Sequence, residues 1–194
     1  MIILGDVHGD IGICRRTCGN FPDEDIVQLG DFGIGFFDEE EQKSAKGLPA
    51  NFNFFCGNHD DRVAAKEYPS YLGDFGIYKD IFFVCGADSI DKNYRVEGLS
   101  WWRYEELNAG ECNQVLNLWQ KSTSTTLITH DCSQFFVEKY FSIKDKSTTR
   151  NLLDEMYKIR KPRLHIFGHH HRSITVEHNG TTLKCLNINE LAMI

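Results

Sequence analysis

The sequence predicts an α/β fold, and three observations predict it. Apolar runs of four to six residues recur along the 194-residue chain. Each run ends abruptly in a polar cluster, and segments of helical period lie between several of them. The runs are short and rich in β-branched and aromatic residues, which reads as buried strand. Strands alternating with helices build a covered sheet, and such sheets collect ligands outside the carboxyl ends of their strands.

The elements follow in order. MIIL (1–4) ends in Gly5-Asp6-Val7-His8, and DIVQL (25–29) in Gly30-Asp31. NFNFFC (51–56) ends in Gly57-Asn58-His59-Asp60, TTLIT (125–129) in His130-Asp131, and RLHIF (163–167) in Gly168-His169-His170-His171. Asn113–Lys121 has apolar residues at 115, 116 and 119. Thr148–Arg160 has Leu152, Leu153, Met156 and Ile159, near the helical period. Residues 75–100 read as hairpin-like β, GIYKDIFFVCGAD and then YRVEG. ITVEHNGTTLKCLNI forms a second hairpin on its Asn179-Gly180 turn. No repeat, low-complexity segment or Pro/Ser-rich linker interrupts the chain, so one domain over 1–194 is expected.

Composition narrows the function. A net charge of −7 without a Lys/Arg-rich run argues against a duplex nucleic-acid partner. No stretch approaches the roughly 18–20 apolar residues of a membrane span. MIILGDVHG leaves no signal peptide ahead of the first polar cluster, and seven cysteines show no disulfide spacing. A cytoplasmic, reduced protein is expected. Cys14 and Cys18, four apart, share a helix face; without partner ligands nearby they read as small buried residues.

The strand ends gather oxygen and imidazole donors: Asp6, His8, Asp31, Asn58, His59, His130, His169 and His171. These suit divalent ions such as manganese, iron or zinc. No cysteine belongs to the set, which argues against a structural zinc site. If residues 169–171 are extended, side-chain direction alternates. His169 and His171 then face one side as ligands, and His170 faces the other, where it either supports the ligands through an outer contact or meets solvent or packing.

In order, GDVHGD, GDFG, GNHD, a lone histidine after a strand, and GHHH resemble the D-x-H, G-D, G-N-H-D/E, H and G-H-x-H pattern of the calcineurin-like metallophosphoesterase superfamily. The match spans residues 5–171. The resemblance implies a four-layer α/β/β/α sandwich and two divalent ions: manganese first, with iron, zinc, nickel or cobalt as alternatives. One ion would be held by Asp6, His8, Asp31 and His171. The other would be held by Asp31, Asn58, His130 and His169, with Asp31 bridging. It also implies hydrolysis of a phosphate mono- or diester by a hydroxide bridging the ions. Asp31 and His59 would be the catalytic residues, His59 as acid to the leaving group. A carboxylate suits the bridging position because its two oxygens can span ions about 3.5–4 Å apart. Asp60 reads as a local orienter. His165 is assigned no role, and His178 is expected in solvent.

The branch is narrower than the superfamily. Its serine/threonine protein phosphatases carry GDxVDRG and GNHE where this chain reads GDFGIGF and GNHD. Ile34 replaces the aspartate that would support the acid histidine, and the Arg-Gly pair is missing. Some small members lack the GNHD histidine and favour diesters; His59 keeps monoesters open. A small or nucleotide-like phosphate ester is therefore preferred as substrate. The alternatives are a protein phosphatase, a nuclease on short or single strands, or a non-catalytic scaffold, which a broken ligand set would have marked. FFVCGADSIDKNYRVEGLSWWRYEELN (82–108) resembles a segment of small uncharacterised members from bacteria and phages. Within it Lys92 and Arg95 could contact phosphate or form a solvated turn. Trp101 and Trp102, if in a strand, face opposite ways, so at most one lines the cleft; it either stacks on a base or is a core or cap aromatic. Asn58, Arg95, Trp101 and Trp102 are the candidate substrate contacts.

Overall fold

All five apolar runs form strands in the computed structural model, which describes residues 1–194. The first three give β1 (Ile2–Leu4), β2 (Ile26–Gln28) and β3 (Phe52–Phe54). A hairpin supplies β4 (Phe75–Tyr78) and β5 (Ile81–Val84). The last two runs give β6 (Thr126–Thr129) and β7 (Leu164–Phe167). A second hairpin, β8 (Ile174–His178) and β9 (Thr181–Cys185), precedes a short β10 (Leu191–Met193). Asn179 and Gly180 take φ values of 50° and 85°, the left-handed pair that a two-residue hairpin loop requires.

Two sheets result. One runs β10-β1-β2-β3, with β1, β2 and β3 parallel and β10 antiparallel against β1. The other runs β4-β5-β6-β7-β9-β8, with β5, β6, β7 and β9 parallel inside antiparallel edges. A continuous apolar core draws Ile3, Val27 and Phe54 from the first sheet and Phe82, Leu127 and Ile166 from the second.

Helices cover the outer faces. They are α1 (Ile11–Asn20), α2 (Glu39–Lys46), α3 (Ala109–Lys121), a short α4 (Gln134–Phe136) running into a π turn through Phe141, and α5 (Thr148–Ile159). The architecture is the expected α/β/β/α sandwich. Trp119 of α3 packs on Phe82, and its Nε1 donates to the Met156 carbonyl of α5 at 2.9 Å, which locks the two helices onto the second sheet. Cys14 and Cys18 lie on the buried face of α1, and all seven thiols are free. No helix is long and apolar enough to cross a membrane.

Two readings of local structure need correction. Periodicity starts α3 at Asn113, but the helix begins four residues earlier. Asn108 accepts from the Glu111 N–H and Glu111 reaches back to the Asn108 N–H, a capping box that apolar spacing does not reveal. YRVEG is not a strand. After a 3₁₀ turn at Lys92–Tyr94 the chain makes a lone bridge between Glu97 and Trp101. Tyr94, Val96 and Leu99 stand in solvent, so no sheet face recruits them. Trp101 and Trp102 consequently do not belong to a regular strand beside the cleft. Trp102 is buried over Gly35 and edge-on to Phe36, whereas Trp101 is half-buried.

Candidate metal centre

Parallel strands bring their carboxyl ends to the same rim, and five loops meet there. The loop after β1 carries Asp6 and His8, that after β2 carries Asp31, and that after β3 carries Asn58 and His59. From the second sheet, β6 delivers His130 and β7 delivers His169 to His171. The donors fall into two groups whose ligand atoms lie within 4.8 Å of one another. Asp6, His8, Asp31 and His171 form one, and Asp31, His130 and His169 the other, so Asp31 belongs to both. The Asn58 Oδ1 joins the second group, 3.1 Å from the His130 Nε2.

The backbone reaches this arrangement by an unexpected route. His169 and His171 both adopt left-handed φ, at 64° and 49°, so the segment is coiled and not extended. His8 and Asp31 share that region, at 43° and 56°. Left-handed backbone costs roughly 1–2 kcal/mol per L-residue. Two glycines permit the close approach. A Cβ on Gly57 would stand 2.2 Å from the Asp31 Oδ1, and one on Gly168 would stand 2.1 Å from the Asp6 Oδ1.

Asp60 braces the loops from within. Its carboxylate is wholly buried and accepts four backbone N–H groups: Phe32 at 3.1 Å, Gly33 at 2.7 Å, Ile34 at 2.9 Å and Gly57 at 2.8 Å. It ties the Asp31 loop to the Asn58 loop and belongs to neither donor group, the contacts a local orienter makes.

The electrostatics ask for a cation. The His130 Nδ1 lies 2.8 Å from the Leu29 carbonyl and must donate to it, which turns the Nε2 lone pair toward two oxygens. These are the Asn58 Oδ1 at 3.1 Å and the Asp31 Oδ1 at 3.2 Å. Only a proton or a bound cation reconciles three lone pairs at such range. Burial works against a charged His130, yet Asp31 by charge and contact, then Asp6, pull its pKa up to about 10. Burial likewise pushes Asp31 up, but His130, His59 and His8 overcome it and hold the carboxyl below its usual range. In the other group the His171 Nε2 is 3.1 Å from the Asp6 Oδ2 and 2.9 Å from the His8 Nε2. Donor separations of this size are those of neighbouring ligands at right angles around an ion with bonds of about 2.1 Å. The donor sets fit two divalent ions.

Of the two readings of His170, the structure shows the outer contact, together with packing. Its side chain is 5% exposed, its Nε2 lies 2.8 Å from the Asp131 Oδ1, and its ring stacks on Phe141 at 4.2 Å. Asp131 also accepts from the Arg150 Nε at 2.7 Å and the Cys132 N–H at 2.7 Å. His170 is thus a member of a buried polar network behind the ligands, not a solvent-facing bystander. His170→Ala is expected to lower the free energy of unfolding by about 1–3 kcal/mol, because it strips a partner from a buried carboxylate. Urea unfolding of the variant measures this, and a loss below about 0.5 kcal/mol would place His170 outside the network. His165 sits in the core between Thr129 and Tyr157, and burial drives its pKa down to about 3. His178 packs against Phe135 and Phe136 and so is not simply solvated.

The proposed substrate contacts divide. His59 lines a cavity of about 340 Å³ with His8, Gly9, Gly33, Phe36, Phe37 and Glu41. The Arg95 guanidinium lies over it, with NH1 3.0 Å from the Nδ1 and NH2 3.2 Å from the Nε2. Asp91 at 2.7 Å and the Ser100 carbonyl at 3.1 Å hold that guanidinium in place. Burial, then Arg95, His8 and His130, lower the His59 pKa against the pull of Asp31. Ile34 is buried core, so no carboxylate supports His59 at that position. Lys92 pairs with Asp88, Trp102 is buried behind Phe36, and neither tryptophan lines this cavity. Sequence reading missed Ser89 and Glu105. Ser89 accepts from the Asn58 Nδ2 at 3.0 Å and donates to Glu105 at 2.6 Å. Sixteen residues separate the two, and neither belongs to a motif.

No protein-family model matches the chain, and no curated protein does. Solved structures match at low identity. A phosphopantetheinyl hydrolase from Mycobacterium tuberculosis is 10% identical, with 96% of this chain and 89% of that chain covered and a TM-score of 0.50. GAP50, the anchor in the inner membrane complex of Plasmodium, is 11% identical over 96% of this chain and 71% of that chain, with a TM-score of 0.51. An archaeal phosphodiesterase is 17% identical over 97% and 84%, with a TM-score of 0.45. At such identities the likeness is one of fold.

Proposed function

We propose that this chain, which has the calcineurin-like metallophosphoesterase fold, is a single-domain, cytoplasmic hydrolase of a small or nucleotide-like phosphate ester that uses two divalent ions. The observation that carries the reading is Asp31, a buried carboxylate common to two complete donor groups. Asp6, His8, Asp31 and His171 would hold one ion, and Asp31, Asn58, His130 and His169 the other. The chemistry such ions, manganese by preference, would supply when bound is activation of water and neutralisation of charge on phosphate oxygens.

The chain's own residues do the rest. Asp60 ties together the loops that carry Asp31 and Asn58, and the His59 N–H, donating to the Asp31 Oδ1 at 2.8 Å, would hold that carboxylate between the groups. Phe36 and Phe37 give the adjoining cavity an apolar wall, and His59 faces it from the side of the donors. His59 would pass a proton to the departing alkoxide. Arg95 opposes the imidazolium, so the ester's negative charge has to offset that guanidinium. The non-catalytic alternative is disfavoured because no donor of either group is missing.

The test is hydrolysis of a panel of phosphomonoesters, cyclic nucleotides and dinucleotides by chelator-treated protein before and after manganese is restored. Turnover that vanishes with chelation and returns with manganese is expected. A manganese-loaded protein inert on the whole panel would favour the scaffold reading.

A further inference from the structure

Within the excursion between β5 and α3, Ser89 and Glu105 pair with each other, and Ser89 in turn meets Asn58. All three residues are at most 3% exposed. The Ser89 N–H donates to the Glu105 Oε1 at 2.9 Å, and the Ser89 hydroxyl donates to the Glu105 Oε2 at 2.6 Å. The Asn58 Nδ2 then donates to the Ser89 Oγ at 3.0 Å.

Polarity passes along this chain in one direction. An ionised carboxylate can only accept, so it takes the hydroxyl proton of Ser89. With its proton committed, the hydroxyl offers Asn58 a lone pair and so needs an N–H there. The amide nitrogen must therefore face Ser89, and the amide oxygen must face His130 and Asp31. We infer that Glu105 is a positioning residue which, through Ser89, sets the Asn58 amide with its oxygen toward the metal centre. The inference rests on the two-ion reading and assigns that centre an outer partner supplied by the excursion.

Glu105→Gln separates this from packing. Glutamine keeps the shape but has one acceptor oxygen. The Ser89 N–H requires that oxygen, so the glutamine amide nitrogen meets the Ser89 hydroxyl. The hydroxyl proton then turns to Asn58 and favours a flipped amide, with its N–H groups aimed at the ion. Ser89→Ala only removes the constraint and leaves Asn58 free to choose. Outer partners of metal ligands typically contribute about 10–100-fold in affinity.

Manganese titration calorimetry is the experiment. Wild type is expected to bind two ions, Glu105→Gln to bind one of them about 10–100-fold more weakly, and Ser89→Ala to lose less than Glu105→Gln. Wild-type affinities in Glu105→Gln, or an equal or larger loss in Ser89→Ala, would overturn the relay while leaving the two-ion reading intact. A wild type that binds no manganese would overturn both. Should Glu105→Gln fail to fold, NMR of the wild type decides. Nuclear Overhauser contacts from the Asn58 side-chain amide protons to the Ser89 β-protons are expected, and their absence refutes the orientation.

Discussion

Asp31→Asn is expected to cut catalytic efficiency by at least about 10³-fold, the upper end of the loss from one electrostatic contact, and to weaken both ion positions together. The two carboxylate oxygens face different groups, Oδ1 toward the His130 Nε2 at 3.2 Å and Oδ2 toward the His8 Nδ1 at 3.9 Å. The Oδ1 also accepts the His59 N–H at 2.8 Å, which fixes the side chain's rotation. An amide has one acceptor oxygen. Whichever way it turns, it presents N–H groups to one donor set and loses a negative charge from both. No other residue belongs to both groups, so nothing compensates. Elemental analysis of the variant beside steady-state kinetics in manganese reads the effect. Full double occupancy in Asp31→Asn would show that the carboxylate is not shared.

His59→Asn should lose activity in proportion to how badly the leaving group needs a proton. An alkoxide must be protonated as its bond breaks, whereas a nitrophenolate leaves without help. General acid catalysis contributes roughly 10²–10⁴-fold where it is required. His59 lies outside both donor groups, so metal content should stay at the wild-type level. The ratio of catalytic efficiencies on alkyl and nitrophenyl esters, compared between variant and wild type, is the measurement. Equal losses on the two esters would mean that His59 positions phosphate or supports Asn58 instead. Arg95 sharpens the comparison. Its guanidinium disfavours the imidazolium, so the alkyl ester should show its proton-donor dependence at the acidic end of the pH profile.

The strands were legible because each apolar run stops at a glycine or, after TTLIT, at His130, and the donors were legible because each follows a strand. The two histidines flanking His170 separate from it as alternation suggests, but for another reason. Left-handed φ at His169 and His171, which no local pattern announces, aims the rings into different donor groups. The partner of His170, Asp131, was not legible, because it is brought to it only by the pairing of β6 with β7. Arg150, which completes that network, sits in α5 and reads in sequence as a surface helix charge. Ser89, Glu105 and the guanidinium over His59 escaped for the same reason. They meet the site through the path of an irregular excursion, and a chain without periodicity carries no register from which to infer contact. Trp102 read either as a stacking platform or as a core or cap aromatic, and it lies buried over Gly35, as the second reading has it.

The donors are split between the sheets: Asp6, His8, Asp31 and Asn58 hang from the first, and His130, His169 and His171 from the second. Ions bound among them would act as rivets across the seam where two separately hydrogen-bonded layers meet. A ligand that binds only the closed seam raises stability with the logarithm of its free concentration, about 2.7 kcal/mol at a hundredfold excess over its dissociation constant. The same atoms that would polarise the ester would then help hold the two layers together, so that the stability of the fold, and not its chemistry alone, would follow the supply of metal.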